Sequence, residues 1–207
     1  MAEGESAWAL RKLGAENSAT RAALIDAAEA LMREEGYSAV TSRRVAARAG
    51  LKPQLVHYYF RGMDELYLAV FRRGADENLQ RLAAALDQPQ PLRALWEFIR
   101  DPRGVSFNTE FTALAQRSEA VRAEIARYAE HFRRLQMETL ERHLAARGIE
   151  PRIQPVVASV LMVSLSSVLA SETALGISLG HEETEALVEL CLRQFEDTGA
   201  APPGLLG

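Results

Sequence analysis

The sequence predicts an all-α protein, with an N-terminal three-helix helix-turn-helix domain followed by a larger helical domain. Apolar residues recur at helical spacing through most of the 207 residues, and no segment shows the period of two typical of strands. Glycines and prolines interrupt this pattern where helices would end. Only one cysteine, Cys191, is present, which excludes an internal disulfide framework and a zinc site built from several cysteines.

The first two helices are marked by local signals at their ends. The first is predicted over residues 18–35, because apolar residues repeat there at helical spacing and Gly36 can act as the stop. Thr41 is a good N-cap for a second helix that extends to Arg48. Gly50 supplies the left-handed conformation that a tight turn needs.

A third helix is predicted from Pro53 to Tyr59, since proline suits the first helical position. Two short helices joined by a tight turn, preceded by a longer one, predict a helix-turn-helix. Val56 is expected to anchor the third helix inward. The residues expected to face outward from this helix and its start are Lys52, Gln54, Leu55, His57 and Tyr58.

The rest of the chain is predicted to be helical over residues 63–86, 92–100, 106–116, 119–147, 153–175 and 182–196. The predicted organisation is a tail over 1–17, the helix-turn-helix domain over 18–62, a helical ligand-binding and dimerisation domain over 63–197, and a tail over 198–207. Residues 153–171 carry no charge but include five serines. A buried helix is therefore expected there, rather than a membrane span.

Positive charge is concentrated in the predicted helix-turn-helix. The chain has a net charge of -4, yet the segment from Gly36 to Met63 contains no acidic residue. Its basic residues are Arg43, Arg44, Arg48, Lys52 and Arg61. Such a cluster on an acidic protein favours a dedicated surface for a polyanion, with a merely solvated basic face as the alternative.

Residues 18–66 resemble the DNA-binding domain of the TetR family of transcriptional regulators. The run from Thr41 to Leu51, TSRRVAARAGL, is similar to the second helix and turn of that family. The segments VHYYF at 56–60 and DEL at 64–66 are similar to its recognition helix and the start of its fourth helix. This chain departs from the family at Gln54, where glycine is frequent, and at His57, where tyrosine is frequent.

The resemblance implies double-stranded operator DNA as a partner and assigns residues to it. Thr41, Ser42, Lys52, Tyr58 and Tyr59 would hold the DNA backbone. An α-helix fits the major groove, where glutamine can pair with adenine. The residues expected near base edges or sugars are Arg43, Gln54, Leu55 and His57, and Arg44 completes the DNA-binding set.

The resemblance also implies a homodimer whose larger domain binds a small effector. The protein is then expected to be a repressor that an effector releases from a palindromic operator. An apolar pocket is expected from Trp96, Phe107, Phe111, Phe132, Met137 and Met162. The effector is expected to be largely apolar, of the fatty acyl, steroid-like or aromatic class. The last two helices resemble the dimerisation pair of the family.

Catalysis is not expected from this sequence. No two histidines stand four residues apart as in a helical metal site, and no glycine-rich phosphate loop or nucleophile elbow occurs. Neither a metal nor another cofactor is therefore predicted. A helical small-molecule carrier, or an enzyme with an incidental basic patch, remains the alternative. No secretory signal or membrane segment is recognised, so a cytoplasmic location is expected.

Overall fold

The helical architecture is seen in a computed structural model that describes residues 19–101, 111–150 and 153–198. No strand occurs in these ranges, and the all-α prediction is confirmed. The helices are α1 (Ala19–Glu35), α2 (Ser42–Arg48), α3 (Pro53–Tyr59), α4 (Met63–Leu86), α5 (Pro91–Ile99), α6 (Glu119–Ala146), α7 (Pro155–Ala174) and α8 (His181–Arg193). Residues 111–115 are also helical.

Most helix ends lie within two residues of their predicted positions. Gly36 and Gly50 adopt the positive φ angles, 82° and 68°, that their assigned stop and turn require. The C-terminal end differs, because α8 ends at Arg193 and continues as a π-helical turn over Gln194–Thr198. The predicted helix at 106–116 is described only over 111–115, and the predicted tail 1–17 lies outside the described residues.

The chain forms two compact units. The first comprises the described residues of 1–76 and 107–126, and the second those of 77–106 and 127–207. The first unit therefore extends beyond the predicted domain limit at residue 62. Its core is built by the apolar faces of the first four helices, with the fully buried residues Leu24, Ala28, Val45, Ala46, Val56, Phe60, Leu66 and Val70.

The core of the second unit joins α5, α7 and α8. Leu92, Trp96, Leu169 and Leu192 form a buried cluster, and Met162 packs against it. Ion pairs cross its surface, among them Arg93 to Glu189, with Nη1 2.6 Å from Oε2. Arg93 and Arg193, which hydrogen-bond to Glu189, hold the pKa of that carboxyl down at about 2.

Helix α7 is far more exposed than the sequence predicted. Only 17% of its most apolar 18-residue window is buried, so the expectation of a buried helix is wrong for the single chain. By length and composition alone α7 could cross a membrane. Its large exposed side chains are Val157, Val160, Leu161, Leu165 and Val168, and Leu187 and Leu190 of α8 are exposed as well. A surface this apolar calls for cover that the single chain does not supply.

Candidate DNA-binding surface

The turn between α2 and α3 is fixed by local hydrogen bonds and two buried anchors. Thr41 Oγ1 accepts a hydrogen bond from the N–H of Arg44 at 3.4 Å, which confirms the predicted N-cap. After α2, the N–H of Leu51 donates to the carbonyl of Ala46 at 2.8 Å and closes the turn. In α3, Val56 is buried, as is Phe60 directly after it. The inner face of α3 is thereby held against the first unit.

The outer face of α3 carries most of the residues that the sequence assigned to it. Gln54, His57 and Tyr58 are exposed, Tyr58 to 72%, and Lys52 is exposed directly before the helix. Leu55 is half-buried, so only part of its side chain is available on this face. The reason is its position one residue before the buried Val56, at the edge of the packed face.

Tyr59 is also half-buried, and its ring packs edge-on against that of Tyr58, with centroids 5.0 Å apart. Tyr59 can therefore orient the ring of Tyr58 and also contact a bound molecule. At the start of α2, Thr41 is exposed and Ser42 is half-buried. These residues and the outer face of α3 belong to the same unit, on the two helices joined by the turn.

The basic residues of this surface fall into two groups. Arg44 donates to Glu35 at 2.5 Å, and Arg48 forms two hydrogen bonds with Glu34. The hydrogen bond from Arg44 lowers the pKa of Glu35. For the exposed Arg43 no ion pair is found within the described part of the chain. The same holds for Lys52 and for the side chain of Arg61. Sequence reasoning missed the pairing because both glutamates precede the segment without acids.

The helix-turn-helix is tied to α4 through its first residues. Tyr67 Oη donates to the carbonyl of Val40 at 3.0 Å, directly before the N-cap of α2. Burial raises the pKa of Tyr67, which keeps the hydroxyl protonated as this donor. Arg73, further along α4, hydrogen-bonds to Asp26 and Glu29 of α1. Helix α4 is thus hydrogen-bonded both to the start of α2 and to the middle of α1.

The residues predicted for a ligand pocket do not all lie in one unit. Phe111 belongs to the first unit, where its ring centroid is 4.9 Å from that of Phe71. Trp96, Phe132, Met137 and Met162 belong to the second unit, and Phe107 lies outside the described residues. Trp96 is buried, whereas Phe132, Met137 and Met162 are half-buried.

Sequence reasoning missed several buried polar residues of the second unit: Gln136, Thr139, His143, Ser159, Ser166 and Glu196. The spacing of seven between Ser159 and Ser166, which places both on one helix face, was the available signal. Within the described ranges no group of three histidine, cysteine, aspartate or glutamate side chains could hold a metal ion.

Comparison with known proteins connects the first unit to a family of regulators. Residues 24–70 match the family model described as bacterial regulatory proteins, tetR family. The chain is 34% identical over 122 residues to the HTH-type transcriptional regulator BetI of Rhizobium meliloti (strain 1021). That match covers 55% of this chain and 60% of BetI, which is less than two thirds of the relative.

Two solved structures share the fold over nearly their whole length. The reduced form of NemR from E. coli aligns with a TM-score of 0.70 at 16% identity, over 83% of this chain and 95% of that chain. The fatty acid degradation regulator FadR from Bacillus halodurans aligns with a TM-score of 0.64 at 15% identity, over 92% of this chain and 98% of that chain. At these identities the likeness concerns the fold alone.

Proposed function

We propose that this chain, a member of the TetR family of bacterial regulatory proteins, represses transcription as a homodimer that binds a palindromic operator. A small, largely apolar effector would release it. The observation that carries the proposal is the exposed face of α3, where Gln54 and His57 are free of the core while Val56 holds the helix in place. A helix presented in this way can enter the major groove of a DNA duplex.

The exposed apolar surface of α7 and α8 supports the homodimer. A second copy could cover it through a self-complementary contact, as two-fold symmetric dimers do. Such a dimer would present two copies of α3, and a two-fold symmetric reader fits an inverted repeat. The same cover accounts for the apolar composition of α7 without a membrane, and a cytoplasmic location follows for a DNA-binding protein.

Two alternatives are a small-molecule carrier and a helical enzyme, each with an incidental basic patch. Neither alternative explains why Gln54 and His57 are exposed on a helix that the buried Val56 holds in place. The relatives that match are transcriptional regulators, which also favours a protein without catalytic activity.

Selection from a random DNA duplex library tests the proposal. The purified protein is expected to enrich an inverted repeat, and the variants Gln54→Ala and His57→Ala are expected to lose that enrichment while retaining weak binding to any duplex. Each lost base contact should cost about 1–3 kcal/mol of discrimination. Gln80→Ala, an exposed glutamine on α4, serves as the control. If no repeat is enriched, or if the two variants select the same repeat as the parent, the proposal fails.

A further inference from the structure

Three hydrogen-bonding atoms in the second unit are buried without a partner among the described residues: Gln136 Nε2, Ser166 Oγ and Glu196 Oε2. The first two belong to α6 and α7. Gln136 of α6 is 1% exposed, and Ser159 and Ser166 of α7 are 2% and 1% exposed. Ser159 Oγ donates to Gln136 Oε1 at 2.5 Å. Gln136 Nε2 and Ser166 Oγ have no hydrogen-bond partner among the described residues. Buried polar side chains are nearly always hydrogen-bonded, so these two groups are exceptions that a bound molecule would resolve.

The two groups lie at different levels of one helix pair. Helices α6 and α7 are joined by the short segment 147–154, which favours an antiparallel pair, and the bond from Ser159 to Gln136 fixes their register. Ser166 is seven residues beyond Ser159, on the same face of α7 and about 10 Å along its axis. In an antiparallel pair, Ser166 therefore lies beside a part of α6 that precedes Gln136, near Phe132.

The surroundings between these two levels are apolar. The ring of Phe132 lies 6.0 Å from that of Phe98 and 6.0 Å from that of Tyr128, measured between centroids. Met162 stands between the two serines on α7 and packs against the cluster that contains Trp96. A molecule that reached both polar groups would therefore contact hydrocarbon and aromatic surface over most of its length.

The charges of this unit disfavour an anionic molecule. No lysine or arginine is buried among the residues that the structure describes. Arg100, which stacks on Trp96 at 5.4 Å, is already paired with Glu185. Arg81, which stacks on Phe98 at 5.3 Å, is hydrogen-bonded to a carboxylate as well. A carboxylate or phosphate taken into this interior would lose its hydration without gaining a cation.

We infer that α6 and α7 recognise an uncharged, elongated, apolar effector with a hydrogen-bond acceptor oxygen near each end. One oxygen would accept from Gln136 Nε2 and the other from Ser166 Oγ. Rigid diketones belong to this class, whereas fatty acid and acyl-coenzyme A anions do not. The inference rests on the proposed function, because it names the effector class of the proposed repressor.

A matched set of probes tests this inference on the purified full-length protein. The probes are a steroid diketone with a carbonyl on each terminal ring, the parent steroid hydrocarbon, and dodecanoate. Binding is followed by tryptophan fluorescence, to which Trp96 contributes, and by the thermal midpoint. The diketone is expected to bind at least about tenfold more tightly than either other probe, as one added hydrogen bond allows.

Variants separate recognition from packing. Ser166→Ala and Gln136→Met are each expected to weaken diketone binding about tenfold and to leave hydrocarbon binding unchanged. Ser164→Ala, an exposed serine of the same helix, is expected to change neither. Gln136→Leu, which is apolar and lacks the donor, replaces Gln136→Met if that variant does not fold. The inference is overturned if the diketone does not bind, if dodecanoate binds more tightly, or if the variants bind the diketone like the parent.

Duplex binding without any probe is measured on the same preparations. A protein that selects an inverted repeat but does not bind the diketone overturns the effector class and leaves the proposed repressor standing. A protein that binds the diketone through Gln136 and Ser166 but selects no repeat supports the effector class and contradicts the repressor, in favour of a carrier.

Discussion

Arg48 of α2 holds Glu34 of α1 in a bidentate ion pair, with Nη1 2.8 Å from one carboxylate oxygen and Nη2 2.7 Å from the other. Arg44, one helical turn earlier on α2, donates a single hydrogen bond to Glu35. Both pairs join the end of α1 to α2 and use positive charge that the sequence alone would assign to DNA. Within the described segment from Gly36 to Met63, the exposed cations left for phosphate are Arg43, Lys52 and Arg61.

Removing these two glutamates should strengthen binding to DNA of any sequence. In the double variant Glu34→Gln, Glu35→Gln, Arg44 and Arg48 are released toward the duplex. The slope of log K against log salt concentration is expected to steepen by about one for each arginine that then reaches a phosphate. Stability should fall only slightly, because the pairs are exposed and such pairs contribute little.

Fluorescence anisotropy with a labelled duplex at several salt concentrations measures this slope. The control Glu182→Gln, Glu183→Gln removes the same charge from the exposed start of α8. An unchanged slope in the first variant, or an equal change in the control, would show that the ion pairs do not limit the charge available to DNA.

The apolar surface of α7 should be the dimer interface. Leu161 is 50% exposed in the single chain, and Leu161→Glu would place a carboxylate inside the dimer. An unpaired charge buried in this way costs about 3 kcal/mol or more, so dimers should dissociate at least about 100-fold more readily. Helix content should not change, because the site is exposed within each chain.

Sedimentation and circular dichroism test this expectation. Ala123→Glu introduces the same charge at an exposed position of the first unit and should leave the dimer intact. A parent protein that is monomeric and binds to phospholipid vesicles would contradict the dimer and favour a membrane for α7.

Glu196 should stabilise the start of α5 across the second unit. Its Oε1 accepts hydrogen bonds from the N–H groups of Leu92 at 2.6 Å and Arg93 at 3.2 Å, and Gln90 supplies no side-chain cap. Glu196→Ala is expected to lower the free energy of unfolding by about 2–3 kcal/mol, since buried donors lose a charged acceptor. Glu196→Gln keeps an oxygen acceptor and should cost less.

Urea unfolding gives these free energies. Glu97→Ala removes an exposed carboxylate from α5 itself and should change the midpoint little. The assignment of Glu196 as a cap is wrong if Glu196→Ala unfolds at the same urea concentration as this control.

His143 should make the protein less stable in mild acid. Burial lowers the pKa of His143 below its ordinary value of 6.5, and the nearby Arg147 acts in the same direction, whereas the bond to the carbonyl of Phe195 and the charge of Glu196 oppose it. The unfolded chain therefore binds the proton more readily than the folded one. The stability contributed by neutral His143 is present above about pH 6.5 and is lost as the pH falls toward its folded pKa.

Urea midpoints at several pH values between about 8 and 5 measure this dependence, with the ordinary histidine pKa near the middle of that range. His143→Gln cannot be protonated and should flatten the profile. His131→Gln, at an exposed position of α6, should leave it as in the parent. Equal profiles for the parent and His143→Gln would assign the acid sensitivity to other groups.

Local signals predicted the helix-turn-helix well because its geometry depends on neighbours in the chain. Thr41 caps α2, Gly50 turns the chain and Pro53 begins α3, as their residue types require. The cap at Glu196 could not be predicted, because its partner Leu92 is 104 residues away in the sequence.

The exposure of individual faces was harder to predict, because it depends on contacts between residues far apart in the sequence. The half-buried position of Leu55 depends on how far the core extends around Val56. The exposure of α7 depends on which neighbours the single chain provides, and its composition alone suggested burial. Residue types identify the ends of helices, whereas tertiary contacts decide which faces remain open.

The hydrogen bond from Tyr67 to Val40 connects α4 to α2 and α3, the helices that would contact DNA. Val40 is buried directly before the cap of α2. A shift of its carbonyl with Tyr67 would therefore also shift the first turn of α2. A rotation of α4 about its axis would therefore displace α2 and α3 together and leave the turn between them intact. A displacement of the Tyr67 hydroxyl would thus reorient α2 and α3 together.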